Sequence, residues 1–188
     1  ILPTSELVDR FSIERVGRAS AIFDERKLRW LNGRFMREMP LEDYTEAVAK
    51  HLGREPDEAL TAACSIVQDK AQTLNEVWPL ISFLFEEPTY DPKARKKVMV
   101  DGAKPALEDA LDALRGTEPF QPDEIEAALA PVLAARDLKP GKLYQPIRVA
   151  ISGGTVSPGI FESLSVLGKD RSIARIERAL AECWNSST

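Results

Sequence analysis

Three glycines, Gly153, Gly154 and Gly159, separate two apolar runs in the stretch KLYQPIRVAISGGTVSPGIFESLSVLGKD, residues 142–170. Arg148 lies in the first run, and Lys169 and Arg171 follow the second. Glycines ahead of a helix are the raw material of an anion cradle, because the first N–H groups of a helix point outward unpaired. A phosphate loop requires G-x-x-x-x-G-K-S/T, and a dinucleotide fold requires G-x-G-x-x-G directly after a strand. Neither pattern occurs. The nearest match leads into a helix with Glu162 in its first turn and no lysine placed to reach a phosphate. A membrane hairpin fails as well: each apolar run falls short of the roughly 18 residues a span needs, and Arg148 interrupts the first. What remains is a guanidinium, hydroxyls and a helix start gathered into one stretch, the makings of a surface that reads something larger.

Catalytic chemistry finds little support elsewhere. His51 is the only histidine, and no spacing ties it to Cys64 or Cys183, so a His-assisted nucleophile has no partner in sequence. The two cysteines form no C-x-x-C pair, which argues against a soft-ligand zinc site and fits packing in a reducing compartment. Asp123 and Glu124 are adjacent carboxylates, explained by their place at a helix N-terminus. No residue is assigned to catalysis or to a metal, and binding is the favoured role.

The elements that must carry such a surface are helical. TSELVDRFSIERV places Leu7, Val8, Phe11 and Ile13 near one stripe, with Thr4 or Ser5 as the cap. DERKLRWLNGRFMREM does the same with Leu28, Leu31, Phe35 and Met36, capped by Asp24; Trp30, Leu28 and Phe23 are read as packing residues. LEDYTEAVAKHLG spaces Leu41, Tyr44, Val48 and Leu52 by three and four and stops at Gly53. PDEALTAACSIVQDKAQTL reads as one helix opening on proline and two acids. NEVWPLISFLF is buried and helical, kinked or restarted at Pro79. Further helices are expected from Pro92 to about Val100, from Ala103 to Leu114, and after Pro122 despite Pro131. YQPIRVAIS, PGIFESLSVLG and KDRSIARIERALAEC complete an all-α chain, with GGTV as a loop. The linker GTEPFQP is taken as the boundary between two helical subdomains.

At 188 residues the chain is long enough for one domain or two small ones. It lacks an initiating Met and is expected to be a piece of a longer polypeptide. The net charge of -5 is unpromising for a nucleic-acid binder, but its distribution is uneven. Residues 39–138 carry ten basic and twenty acidic side chains, whereas residues 139–178 carry seven basic and three acidic ones. The basic end is the part that can approach phosphate.

Three motifs give these observations a family. QPIRVAISGGTVSPGIFESLSVLGKD resembles the C-terminal region of bacterial glutamyl-tRNA synthetases, with a Pro-hydrophobic-Arg-x-Ala segment, a small-residue loop, a Pro-Gly-hydrophobic-Phe-Glu start and a Leu-Gly-Lys/Arg ending. AIFDERKLRWLNGRFM resembles the family's F-D-x-x-K-L-x-W-x-N segment, and VQDKAQTLNEV its V-Q-x-R-x-x-T-L segment. The matches fall in order across residues 22–170.

The resemblance implies the anticodon-binding half of a class I synthetase. It places the end of a stem-contact region at 1–38 and two helical subdomains, forming an α-helical cage, at 39–116 and 117–188. It implies a parent that joins glutamate to tRNA(Glu) with ATP and Mg²⁺, in the cytoplasm and as a monomer, with neither DNA nor membrane as partner. The catalytic half with its HIGH-like and KMSKS-like motifs is not contained in these residues, so the chain alone is expected to be inactive as a ligase. Carried over by position, Lys70 stands where strict enzymes have an arginine on the third anticodon base, Arg148 matches the arginine of the first motif, and Ser157, Pro158 and Ile160 match the loop and helix start that meet the other bases. Lys142, Lys169 and Arg171 are candidates for backbone phosphates. Lysine at 70 lacks the planar fork of arginine, which opens the way to tRNA(Gln) as a second partner. A helical protein–protein interaction module without RNA binding is the alternative.

Overall fold

Helix punctuation follows side chains that the sequence supplies. The computed structural model describes residues 2–17 and 22–184, and among these every regular element is helical, with no strand. The first two α-helices are α1 (Thr4–Arg10) and α2 (Glu25–Glu38); Asp24 caps α2 by accepting from the Lys27 N–H at 3.0 Å. α3 (Leu41–Leu52) ends at Gly53, whose φ of 66° is the left-handed conformation that glycine reaches without a steric cost. α4 (Glu58–Val67) is capped by Asp57, which accepts from Leu60 N–H at 2.7 Å. The chain continues through α5 (Val77–Ile81), α6 (Pro92–Val98), α7 (Lys104–Arg115), α8 (Pro122–Ala135), α9 (Pro140–Ser152), α10 (Ile160–Leu167) and α11 (Lys169–Trp184). Short 3-10 turns over Ile13–Arg15, Leu74–Glu76, Ser82–Leu84 and Asp101–Ala103 fill the gaps.

Four sequence expectations are corrected. The cap of α1 is Pro3, not Thr4 or Ser5, and no residue of α1 is buried: Leu7 and Val8 are more than half exposed, and so are Phe11 and Ile13 just beyond. α4 stops at Val67 rather than running to Leu74, because Gln68 turns its amide toward α2 and donates to the carbonyls of Met36 and Met39 at 2.8 and 2.9 Å. Asp57 sits outside α4 as its cap instead of inside its first turn. Finally, Trp30, Leu28 and Phe23 do not pack: they are 49, 52 and 77% exposed. Only the Gly33–Met36 side of α2 meets the rest of the molecule. There Asn32 donates to the Gln72 carbonyl at 2.5 Å, and a Cβ on Gly33 would lie 3.1 Å from Gln72 Cα. The apolar positions of α2 cover more of its circumference than its neighbours do.

Pro79 falls inside α5, and the segment 74–84 breaks into a 3-10 turn, one and a half turns of α-helix and a second 3-10 turn. Its apolar residues Val77, Ile81, Phe83 and Leu84 are buried as expected. α3 packs against α4, and α10 also contacts α4. α7 lies along α11 and α8, α9 sits between α11, α7 and α6, and α10 closes against α8. Helix α7, just before the linker at 116, therefore shares its packing partners with the helices after it. One apolar cluster runs from Met36 to Ala179, centred on Tyr44, Leu60, Leu107, Leu129, Ile147, Leu164 and Ile176.

Candidate nucleic-acid interface

α9 delivers Arg148 to the surface through a helix whose opposite side is core: Leu143, Ile147, Ala150 and Ile151 are fully buried. The helix ends at Gly153 with φ 78°. Position 153 needs glycine twice over, because a Cβ there would also lie 2.3 Å from the Thr89 carbonyl oxygen. The Gly153 carbonyl in turn accepts from Asp91 N–H at 2.9 Å. The loop that follows is thus fastened to the segment 89–91 at its first residue, and it leads to the start of α10 at Gly159.

Arg148 closes this loop from the other side. Its Nη1 donates to the Pro158 carbonyl at 2.6 Å and to the Ser157 carbonyl at 3.1 Å, and it contacts the Ser157 hydroxyl. Ser157 Oγ passes a further hydrogen bond to the Pro158 carbonyl at 3.0 Å. Among the described residues, every side-chain hydrogen bond of Arg148 runs through Nη1. Burial lowers the guanidinium pKa, with Glu162 opposing the shift. The Glu162 carboxylate folds back over Gly159, occupying the space where a Cβ would stand. α10 has no side-chain cap, so its first N–H groups are left to solvent or to a ligand.

The remaining residues singled out from sequence fall into different places. Pro158 is buried and Ile160 is 6% exposed within the core cluster, so both shape the loop from beneath. Lys70 is exposed in the turn after α4, where its ammonium pairs with Asp69 at 2.9 Å; no hydrogen bond or ion pair joins it to Arg148 or Ser157. Lys142 is exposed near the start of α9. Lys169 is engaged internally, donating to the Thr117 carbonyl at 3.0 Å and to Glu118 at 2.6 Å. Arg171 donates to the Leu84 carbonyl at 2.9 Å.

Sequence reasoning missed Arg175, which is 2% exposed. Its Nη1 donates to the carbonyls of Phe83 and Ile151 at 2.7 and 2.8 Å, and its Nη2 to the Glu86 carbonyl at 2.9 Å and to Glu87 at 3.2 Å. Arg178 continues the clamp, reaching Glu87 at 2.9 Å and the Pro88 carbonyl at 3.0 Å. The two arginines hold the segment 83–91 against α11, and that segment holds Gly153. The signal was present: Arg175 occupies the apolar stripe of α11, three residues after buried Ser172 and four before buried Ala179.

The geometry is that of an all-helical body with an arginine anchored beside a small-residue loop. In comparison with known proteins the model of the anticodon binding domain matches residues 41–180, and the chain belongs to that family. Within it the resemblance is to glutamate–tRNA ligases. That of Acidothermus cellulolyticus is 37% identical over 94% of this chain and 38% of its own length, and that of Syntrophobacter fumaroxidans is 34% identical over 96% and 40%. The chain therefore spans about two fifths of the curated relatives it matches. The crystal structure of a glutamate tRNA ligase from Elizabethkingia meningosepticum in complex with its amino acid superposes with a TM-score of 0.82 at 22% identity, over 97% of this chain and 37% of that one. The likeness establishes the same all-helical fold. The protein–protein module entertained from sequence is not what the comparisons support.

Proposed function

We propose that this chain reads the anticodon loop of a tRNA as part of a glutamate–tRNA ligase, with tRNA(Glu) as the principal partner. The observation that carries the assignment is the geometry of Arg148, fixed through one nitrogen by the loop that follows its helix. Nη2 and Nε are left for a base edge, which an unstacked loop nucleotide presents and a duplex does not. Ser157 and the uncapped start of α10 supply further polar groups alongside. We take 1–38 as the end of a stem-contact region and 39–116 and 117–188 as two helical subdomains that share one core.

The full-length protein would attach glutamate to tRNA with ATP and Mg²⁺, in the cytoplasm. No group of three His, Cys, Asp or Glu side chains among the described residues could hold a metal ion, and no phosphate loop occurs in the sequence. None of the described residues is assigned to ATP or Mg²⁺. Among the described residues no helix is long and apolar enough to cross a membrane.

Lys70 is the proposed reader of the third anticodon base. A flexible ammonium already beside Asp69 discriminates less sharply than a guanidinium fork, so tRNA(Gln) is tolerated. The test is binding of transcripts carrying the glutamate anticodon, or the same with its third base changed, across a salt series. Affinity should fall linearly with salt on logarithmic axes. Arg148→Ala should cost about tenfold or more. The third-base preference should stay below about a hundredfold, about 2.7 kcal/mol, and rise in Lys70→Arg. Binding indifferent to salt and to Arg148→Ala would overturn the assignment.

A further inference from the structure

We propose that the cleft between the α6–α7 connection and the start of α9 takes one unstacked nucleotide of the RNA, distinct from the bases met by Arg148. The inference rests on the anticodon-loop assignment above and extends it to a second pocket. The cleft measures about 640 Å³, within the range of pockets that enclose small organic ligands. Val98, Val100, Leu138 and Pro146 make its apolar walls, and Lys97, Lys139 and Lys142 stand around it. No carboxylate lines the cleft, and none of these three ammonium groups has an ion-pair partner among the described residues. Apolar walls with a cationic rim match a nucleotide, whose base has two apolar faces and whose phosphate is anionic.

Two acceptors add a polar contact to this frame. Gln145 lines the cleft, and its Oε1 is buried with no hydrogen-bond partner. An orphaned acceptor of this kind costs stability unless something answers it. Pro146 has no N–H, so the Lys142 carbonyl lacks the donor four residues on that an α-helix would provide. An exocyclic amino group of adenine, cytosine or guanine has the chemistry both acceptors require. Lys97 also borders a second hollow next to the reading loop, with Asp91, Lys93, Gly154, Thr155 and Val156. The Asp91 carboxylate there is engaged as the cap of α6, and Lys93 and Lys97 offer a strand whose bases meet Arg148 two cations along α6 on its way to the cleft.

The decisive variant is Gly141→Phe. Gly141 lines the cleft at the start of α9, and a Cβ there meets nothing within 4 Å, so a phenyl ring fills the cleft while every lysine stays. Binding of the glutamate-anticodon transcript should weaken at least about fivefold with an unchanged salt slope. The pair Lys139→Ala and Lys142→Ala together should weaken it about tenfold and reduce the slope by about two, whereas Lys50→Ala, on the exposed last turn of α3, should stay within twofold. If Gly141→Phe loses its helical melting transition, Gln145→Leu decides instead, with a threefold loss expected. The cleft is overturned if the plug, or Gln145→Leu in its place, binds like the unaltered chain while Arg148→Ala still weakens binding about tenfold or more. Loss of every effect, that of Arg148→Ala included, overturns the anticodon-loop assignment itself.

Discussion

Replacing Arg175 by methionine tests the scaffold behind the interface. The substitution keeps roughly the length and apolar stem of the side chain and removes the guanidinium. Three backbone carbonyls, those of Phe83, Ile151 and Glu86, then lose donors now at 2.7, 2.8 and 2.9 Å. Each is a charge-assisted hydrogen bond, a type worth about 1.5–3 kcal/mol, which gives a gross loss of about 4–9 kcal/mol. Two terms reduce it. Methionine has no charge to desolvate, and the Arg175 Nε is itself buried without a partner, a penalty that methionine relieves. Removing one side of a buried charged network leaves about 3–5 kcal/mol of net destabilisation, and about 3 kcal/mol is the expected value here. Urea unfolding followed by helical circular dichroism reads this directly. With a slope of about 2–3 kcal/mol per molar, the midpoint should fall by roughly 1–1.5 M. Arg175→Lys, which keeps the charge and loses the fork, should fall about half as far. A midpoint that moves less than about 0.3 M in Arg175→Met, at an unchanged slope, would refute the idea that this arginine holds the segment 83–91 to α11 and α9.

Two further outcomes follow from the same region and its neighbour. Gly153→Ala should destabilise the chain by about 2–4 kcal/mol in thermal unfolding, through the positive φ and the clash with Thr89, and Gly154→Ala, with open space around its Cβ, should be near neutral; equal effects would show that the close approach is not what selects glycine at 153. Glu76 accepts from Gln72 N–H at 2.8 Å and pairs with Arg29, and these contacts hold its pKa below the ordinary 4.5. A depressed carboxyl contributes stability above its unfolded pKa and loses it as pH falls through the folded one, so Glu76→Gln should cost about 0.5–1 kcal/mol at pH 7 and progressively less as pH falls below the ordinary carboxylate range; a gap that does not shrink on acidification would contradict the assignment.

How far the sequence reveals this arrangement depends on where the deciding contact lies. α3, α9, α10 and α11 were legible because their apolar spacing and their stops are local: Gly53, Gly153 and Gly168 each end a helix at the positions the sequence marks. The early end of α4 was not, since it depends on Gln68 finding the carbonyls of Met36 and Met39 across about thirty positions. The exposure of Trp30 and Leu28 is equally remote, because periodicity tells which faces are apolar and not which ones a neighbour covers. At the candidate site, Arg148 and Ser157 were named from motif resemblance, and the structure joins them through hydrogen bonds. Lys169 shows the reverse: as a sequence it is a free basic residue beside a loop, and in the fold it is bound to Thr117 and Glu118. The cleft beside α9 had no sequence signal, since Lys97 and Lys139 come together only when α6 packs against α9.

The single-nitrogen anchoring of Arg148 has a kinetic meaning under the proposed function. Long arginine side chains ordinarily surrender several rotors when they grip a ligand, at about 0.5–1.5 kcal/mol per immobilised side chain. Here folding has already frozen those rotors, so a base arriving at the loop finds its donor stationary and aimed. Encounter is then governed by diffusion and the basic end of the chain, and loosening the anchor shortens the lifetime of the complex while leaving its rate of formation nearly untouched. Ser157, whose hydroxyl and carbonyl help seat the guanidinium, would set residence time through this anchor as well as through any contact of its own with the RNA.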